Sequence, residues 1–542
     1  MAKTDWVTAD YVVVGGGSAG SVVASRLSED PGVTVALLEA GPEQTDLRLA
    51  VPAMLGEVLG SKVACWDYAT VPQERLGGRR LRWPRGKVMG GSSAINGMCY
   101  QRGALEDYDL WAERGAAGWG QAEALHYFKR SETHSEGAGQ WHGDEGPLHV
   151  TRPRSVERMT EVYLEAGQQA GLPLTEEFAA PRREGVGVFD TTTKGGRRHS
   201  AAKAYLTKAV RARPNLTIVT GASVRRVLLD GQRAAGVEYD VAGVRKEAAA
   251  RREVVLCAGA IGTPQLLMLS GVGPSGHLEG HGIGVVADRP GVGANLLDHL
   301  DVMAFRLTRP GGSVSYTWPS LVEHAGALAQ YLKDGTGTLA SNIAEGNGFA
   351  RSRPDLARPD IQLHFIPALT MDHGEQKNWG RSGVSIHACN LYPRSTGSIR
   401  LASRDPRDAP LIDPNYLAAE EDWDVMVAAA KLAREVLSQP AWDEVGLGFV
   451  RPEHAPEAEE GWRALVRDEA ETIYHPVGTA RMGRRDDEGA VTDPMGLVHD
   501  VEGLRVVDAS LFPTIPGGNT NAPTIMVAER IAQRGMGAGS TA

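Results

Sequence analysis

The sequence predicts an α/β fold in which a nucleotide-binding domain is interrupted by a second domain. Three observations support this prediction: a glycine-rich βαβ unit near the N-terminus, two strand–turn–helix segments late in the chain, and a length of 542 residues, too long for one ordinary core. The three segments lie far apart in the sequence, and each is expected to contribute strands to the same doubly wound sheet. The nucleotide-binding domain is therefore expected to be discontinuous in sequence.

The βαβ unit is the first element. ADYVVVGGGSAGSVVASRLSED predicts a β-branched strand at about 11–14, a glycine turn and an apolar-periodic helix, and VTVALLEAGP predicts a buried strand ending at Glu39. Gly15 permits the tight turn, Gly17 lets the backbone approach a pyrophosphate, and Gly20 lets the helix pack on the sheet. Glu39 stands where an acid binds ribose hydroxyls. The unit predicts an adenine dinucleotide and leaves NAD and FAD both open.

A second glycine-rich segment follows in WPRGKVMGGSSAINGMCYQRG, at 83–103. Its basic residues, its Gly-Gly-Ser-Ser turn and Asn96 suit backbone N–H groups that line a second stretch of a long cofactor. Small residues beside them suit close approach to a flat ring. This segment therefore favours a cofactor longer than a mononucleotide.

The two late segments again read as strand, glycine turn and helix: REVVLCAGAIGTPQLLMLSG and LRVVDASLFPTIPGGNTNAPTIMVAERIA. In the second, Asn519 and Asn521 precede Pro523, so a helix is expected to begin at about 522. Facing the pyrimidine side of a flavin, that helix end would favour the anionic reduced state, and the turn would present Asn519 as a hydrogen-bond donor.

His475 lies in TIYHPVGTARMG, at 472–483, directly before Pro476 and close to Gly478, which are residues that break helices. Such a segment is rigid and irregular, so it can aim the imidazole at a ligand instead of laying it on an apolar face.

Composition limits the class of partner. The formal charge of −10 argues against nucleic acid or an anionic membrane, so a small molecule is expected. The four cysteines are scattered and indicate neither disulfides nor a metal site. MAKTDWVTAD has no apolar signal core, and no apolar run is long enough to span a membrane, so a cytoplasmic protein without an integral membrane segment is expected.

Six blocks in order resemble the glucose-methanol-choline (GMC) family of FAD oxidoreductases: YVVVGGGSAGSVVASRLSED, GKVMGGSSAINGMCYQRG, EVVLCAGAIGTPQLLMLSGVGP, DRPGVGANLLDHLD, YHPVGTARMG and GGNTNAPTIMVAERIA. The resemblance covers essentially the whole chain and is nearest to choline dehydrogenases and bacterial alcohol and polyethylene-glycol dehydrogenases. It implies a Rossmann-like FAD-binding domain, of the p-hydroxybenzoate-hydroxylase type, at 1–152, 196–300 and 473–542. A substrate-binding domain with an antiparallel sheet is implied at 153–195 and 301–472.

The resemblance also implies a reaction. The family oxidises alcohols with the histidine of its H-P-x-G-T motif, here His475, and a His or Asn 43 or 44 positions later, here Asn519. Oxidation of a primary alcohol to an aldehyde removes a hydroxyl proton and passes a hydride to flavin N5. A histidine accepts that proton near neutral pH, while an asparagine holds the oxygen without competing for it.

The implied site is wider than this pair. Ile473, Tyr474 and Asp301 are expected in the substrate pocket. The expected FAD contacts are Gly15, Gly17, Ser18, Gly20, Glu39, Ala40, Trp66, Arg85, Val88, Gly90, Gly91, Ser92, Asn96, Gly97, Met98, Val224, Ala258, Gly259, Asp508, Ala509, Asn519, Thr520 and Asn521.

Two departures from the family pattern qualify the implied chemistry. Ile95 replaces the histidine that attaches FAD covalently in choline oxidases, so non-covalent FAD is expected. Asp301 replaces their glutamate that meets the trimethylammonium group, which leaves a cationic substrate open. Reoxidation by oxygen, as in choline or aryl-alcohol oxidases, by a quinone or by another acceptor stays open, as do hydroxynitrile-lyase chemistry and a homodimer.

Overall fold

The computed structural model describes residues 7–153, 156–310, 313–315, 318–371, 378 and 380–536, without side chains at 318–325. The strands are β1 (Val7–Val14), β2 (Val35–Glu39), β3 (Cys65–Ala69), β4 (Arg82–Gly86), β5 (Glu132–His134), β6 (Leu148–Val150), β7 (Gly185–Val188), β8 (Thr193–Lys194), β9 (Arg197–Arg198), β10 (Leu216–Thr220), β11 (Ala222–Asp230), β12 (Arg233–Val241), β13 (Val244–Leu256), β14 (Val272–Gly273), β15 (Ala287–Asp288), β16 (Leu300–Thr308), β17 (Gly346–Ala350), β18 (Ile361–Ile366), β19 (Gly383–Asn390), β20 (Ser398–Arg400), β21 (Leu411–Asp413), β22 (Gly446–Phe449), β23 (Glu471–Thr472) and β24 (Leu504–Val506). The α-helices are α1 (Ser18–Leu27), α2 (Leu55–Leu59), α3 (Glu106–Glu113), α4 (Gln121–Ser131), α5 (Arg158–Gln169), α6 (Ala201–Tyr205), α7 (Lys208–Arg211), α8 (Gly259–Leu269), α9 (Ser275–Gly280), α10 (Trp318–Asp334), α11 (Glu420–Val436), α12 (Glu459–Glu469) and α13 (Asn521–Arg534).

One seven-stranded sheet forms the nucleotide-binding part. Its order is β10-β2-β1-β13-β12-β11, with β24 beside β13. The first four strands and β24 are parallel, and β12 and β11 form an antiparallel extension. Its central strands are fully buried runs of Val and Leu, as expected of a sheet covered on both faces. The predicted Rossmann-like architecture is confirmed.

A second seven-stranded sheet is antiparallel throughout. Its order is β22-β16-β19-β18-β17-β7, and β23 pairs with β16. This is the antiparallel sheet that the sequence resemblance implied. The exact domain boundaries at 152, 195, 300 and 472 stay a prediction.

Both ends of the described chain meet in the nucleotide-binding part. Helix α1 packs on α13, where Ser18 Oγ donates a hydrogen bond to Asn521 Oδ1 at 2.7 Å, and Arg26 pairs with the fully buried Glu529 at 2.7 Å. Helix α13 begins at Asn521, one residue before the expected start, and β1 begins at Val7. No helix among the described residues is long and apolar enough to cross a membrane.

Candidate active site

A cavity of about 1370 Å³ lies between the two sheets. On one side it meets the carboxyl ends of β1, β2 and β13, at Val14, Glu39 and Cys257. On the other it meets the second sheet, through His364 and His387. Ligands of doubly wound folds bind at the carboxyl ends of the parallel strands, so the cavity lies where the fold predicts a dinucleotide.

The glycine turn leaves a narrow passage beside the N-terminus of α1. Gly15 has φ of +102°, and a Cβ on Gly20 would lie 1.8 Å from the Gly15 carbonyl oxygen. A Cβ on Gly91, from the second glycine-rich segment, would lie 2.7 Å from Gly17 Cα. Two glycine-rich backbones thus face each other at a helix N-terminus, a geometry that fits a pyrophosphate.

Glu39 closes this end of the cavity. Its Oε2 accepts the Gly16 N–H and its Oε1 accepts the Gly41 N–H, each at 2.7 Å. Burial raises the pKa of Glu39 to about 7. The two bonds fix the carboxyl group and leave each oxygen a lone pair for a ribose hydroxyl.

At the opposite end, backbone constraints aim His475 into the cavity. The His475 N–H donates to Asp298 Oδ1 at 2.6 Å, and Arg85 Nη1 donates to the Tyr474 carbonyl oxygen at 2.8 Å. Tyr474 has φ of +67°, a left-handed conformation that costs free energy in a residue with a Cβ. The buried Asp298 and the half-buried Arg85 bind the two sides of this one peptide and so hold the strained conformation.

A chain of hydrogen bonds assigns the tautomer of His475. His299 Nε2 donates to the Leu391 carbonyl oxygen at 3.1 Å, and burial lowers the pKa of His299 to about 3, so this ring is neutral. Its Nδ1 therefore accepts the proton on His475 Nδ1, 3.0 Å away. His475 Nε2 is left with a lone pair, 3.2 Å from the Asn519 amide nitrogen that donates to it. Burial, with His299, His364 and Arg85 nearby, holds the pKa of His475 well below its usual range.

Two further histidines lie on the second sheet. His364 and His387 are direct cross-strand partners on β18 and β19, and both line the cavity. Burial lowers the pKa of His364 to about 3 and that of His387 to about 4. The end of the cavity beside the second sheet thus offers neutral imidazoles at neutral pH.

Asp301 does not line the cavity, in contrast to the expectation from sequence. It is fully buried, and its Oδ2 accepts a hydrogen bond from His387 Nδ1 at 2.8 Å. Because His387 stands between this carboxylate and the cavity, a ligand there meets the imidazole.

The other predicted site residues divide by position. Gly20, Val88 and Gly90 do not line the cavity: Gly20 packs α1 against the glycine turn, Val88 lies in a small apolar cluster, and the Gly90 N–H donates to the Gly16 carbonyl oxygen at 2.7 Å. The cavity is lined by Gly15, Gly17, Ser18, Glu39, Ala40, Trp66, Arg85, Gly91, Ser92, Asn96, Gly97, Met98, Val224, Ala258, Gly259, Ile473, Tyr474, His475, Asp508, Ala509, Asn519, Thr520 and Asn521.

Sequence reasoning missed His299, His364 and His387. His299 stands two residues before Asp301 in the quoted block that ends LLDHLD, so that block contained a signal. His364 and His387 lie in buried strands that carry no motif, and only strand pairing brings them together.

Elsewhere, His134, His142 and Asp190 place potential metal-binding atoms within 4.8 Å of one another. Their surroundings are an ionic network: Arg102 pairs with the buried Glu132, which accepts from His142 Nδ1 at 3.0 Å. Glu177 accepts a hydrogen bond from His142 Nε2 at 2.9 Å, and Arg152 forms an ion pair with Asp190 at 3.1 Å. Arg152 also pairs with the exposed Glu136 at 3.0 Å, so each buried carboxylate of this cluster already has a cationic partner.

The comparisons agree with this geometry. Models of the N- and C-terminal parts of GMC oxidoreductases match residues 9–301 and 393–528. An oxygen-dependent choline dehydrogenase of Pseudomonas fluorescens (strain SBW25) is 44% identical, over 97% of this chain and 93% of that one. An alcohol dehydrogenase [acceptor] of Pseudomonas putida is 41% identical, over 97% and 95%. A formate oxidase structure from Aspergillus oryzae RIB40, determined to study FAD modification, superposes with a TM-score of 0.90 at 27% identity, over 98% of both chains.

Proposed function

This chain belongs to the GMC oxidoreductase family, whose members use FAD to oxidise CH–OH donors, and we propose that it oxidises a primary alcohol to an aldehyde. In this proposal His475 is the base, and Asn519 is the group that orients the hydroxyl oxygen. One observation carries the proposal: the bonds from Leu391 through His299 to His475 leave the Nε2 lone pair at the cavity, beside the Asn519 amide.

Each residue has a distinct task in this proposal. Bound FAD supplies the hydride acceptor. His475 Nε2 accepts the hydroxyl proton, and the depressed pKa of His475 keeps it in the base form at neutral pH. The Asn519 amide donates to the substrate oxygen as negative charge develops there. His299 Nδ1 accepts from His475 throughout, so it holds the ring and stabilises the imidazolium that forms.

FAD is proposed to bind without a covalent bond. Ile95 lines the cavity at the position where the resemblance places an attaching histidine, and its side chain has no nucleophile. Acid precipitation is expected to release intact FAD. Flavin that stays in the denatured pellet would show that another residue attaches it.

A neutral alcohol is the proposed substrate class. The carboxylate that would attract a cation, Asp301, is fully buried and bonded to His387, which itself faces the cavity as a neutral imidazole. Coulombic attraction for a trimethylammonium group is therefore weaker than with a carboxylate that faces the ligand.

The electron acceptor separates two candidate functions. We propose that an artificial acceptor supports faster turnover than oxygen, because the INGMCY segment resembles the dehydrogenase branch. The second candidate is an oxidase that makes hydrogen peroxide, which the oxygen dependence in the name of the Pseudomonas fluorescens choline dehydrogenase favours. The lyase alternative predicts no flavin reduction by any alcohol.

The decisive experiment mixes the flavoprotein anaerobically with a panel of alcohols and follows the flavin absorbance. The panel includes choline and its uncharged isostere 3,3-dimethylbutan-1-ol. Bleaching is expected, and faster with the isostere. A flavin that no primary alcohol bleaches would refute the proposal, and faster bleaching by choline would refute the neutral substrate alone. Repeating turnover with oxygen and with a dye decides between oxidase and dehydrogenase.

A further inference from the structure

The turn that carries Asn519 is held from behind by two charged side chains outside the cavity. The Gly517 N–H donates to Asp107 Oδ2 at 2.8 Å, and the Gly517 carbonyl oxygen accepts from Arg183 Nη2 at 2.7 Å. Asp107 belongs to the first turn of α3, and Arg183 precedes β7. Both polar groups of one residue, two positions before Asn519, are thus bound by ionised side chains from distant segments.

These two side chains are themselves fixed. Asp107 is 1% exposed and also accepts the Ala104 N–H at 2.9 Å, while its other oxygen pairs with Arg358 at 2.6 Å. Arg183 is 5% exposed, and its guanidinium carbon lies 3.9 Å from the centre of the buried Phe349 ring. Asp107 is paired and hydrogen-bonded, as a buried charge requires, whereas Arg183 Nε is buried without a hydrogen-bond partner among the described residues. The bond from Arg183 Nη2 to the Gly517 carbonyl oxygen therefore offsets part of the cost of burying this guanidinium.

Space around the turn is equally restricted. Gly518 has φ of +155°, and a Cβ on Gly517 would lie 2.1 Å from Tyr392 Oη. Past Asn519, the chain enters α13, where Asn521 is bonded to Ser18. Asn519 is therefore the residue between two anchors, one at Gly517 and one at the helix.

The side chain of Asn519 makes few contacts that orient it. Its amide nitrogen donates to His475 Nε2, its buried Oδ1 meets no donor within hydrogen-bonding distance among the described residues, and His364 is the other polar side chain that interacts with it. Since one bond does not fix both the position and the rotation of an amide, its placement depends on the backbone that carries it.

We propose that Asp107 and Arg183 are positioning residues for alcohol oxidation that act through Asn519. The expected effect on the reaction rate rests on the proposed function. The expectation that Asp107 and Arg183 hold the turn rests on its geometry alone. Loss of the Arg183 bond is expected to let the Gly517 peptide shift, and misplacement of an orienting group by a fraction of an ångström is enough to slow a reaction markedly.

The test uses the holoenzyme with Arg183→Met, which keeps apolar packing on Phe349 and removes the donor. Flavin reduction by the best alcohol is expected to slow about tenfold. In an Asn519→Ala background, the same substitution is expected to change the rate by less than about twofold, because residues that act through one group are not additive. Arg351→Met is the matched control: it removes an exposed arginine that pairs with Glu184, next to Arg183 in the sequence, and it is expected to change the rate by less than about twofold.

Amide hydrogen exchange supplies a readout that does not depend on the reaction. Exchange across 514–521 is expected to accelerate in Arg183→Met and to stay unchanged in Arg351→Met. Equal slowing of flavin reduction in both backgrounds, or unchanged exchange in this segment, would overturn the inference. If wild-type flavin is reduced by no alcohol, the proposed function fails, and the exchange result alone then decides whether the turn is held in this way.

Discussion

The two ends of the cavity are built from different kinds of groups. At the pyrophosphate end, backbone atoms of two glycine-rich segments approach so closely that a Cβ on Gly91 would lie 2.7 Å from Gly17 Cα. At the substrate end, side chains of His299, His475 and Asn519 meet from remote parts of the chain. In the proposed function, cofactor binding at the first end depends on an open backbone, whereas chemistry at the second depends on the placement of side chains. The two properties should therefore be separable by substitution.

The largest separation is expected from His475→Ala. Loss of the base should slow flavin reduction by about 10²- to 10⁴-fold, the usual contribution of a positioned acid–base group. FAD content should stay normal, because the glycine turn that faces the pyrophosphate is untouched. Anaerobic stopped-flow reduction measures this step. Near-wild-type reduction would show that His475 is not the base.

The converse is expected from Gly91→Ala. This residue has φ of +53°, and its new Cβ would press on Gly17 Cα, so FAD should bind about 10- to 100-fold more weakly. Any molecules that retain FAD should be reduced at close to the wild-type rate. Titration of apoprotein with FAD, followed by stopped flow at saturation, tests both parts. Undiminished affinity would mean that the two backbones separate easily.

A smaller effect is expected from Asn519→Ala. It removes an orienting hydrogen bond, which contributes roughly 1 to 3 kcal/mol when a buried partner is left unsatisfied, and it leaves His475 in place. Reduction should slow by about 5- to 150-fold, less than for His475→Ala. A loss of reduction rate as large as that of His475→Ala would show that Asn519 is as necessary for the reaction as His475.

The smallest effect concerns the ionic network around His142, which belongs to neither end. Burial opposes its charge, but hydrogen bonds to Glu132 and Glu177 raise the pKa of His142 to about 9. Since the pKa is raised in the folded state, the stabilisation is complete below about 6.5 and is lost as pH rises from 6.5 to 9. The melting temperature should decline over that window, and less so in His142→Gln. An equal decline in both proteins would assign the loss to other groups.

The contrast between the two ends explains what sequence can predict. Gly15, Gly17 and Glu39 were predictable because a short sequence motif specifies a local backbone conformation. The fold class followed from three such segments. His475 and Asn519 stood out through the resemblance. The roles of His299 and His364 were not predictable, since they arise from packing between distant strands. Asp301 lies behind His387 for the same reason: register on β16 and β19, not its motif, sets what it faces.

The contact between α1 and α13 bears on how the protein is made. Ser18 and Asn521 hydrogen-bond across 503 positions of sequence, and Asn521, Thr520 and Asn519 all line the cavity. During translation the first glycine turn therefore emerges long before the residues that complete the pocket around it. A nascent chain that has not yet released residue 521 from the ribosome has no finished pocket, so a ligand of this pocket can be held fully only after α13 has been made.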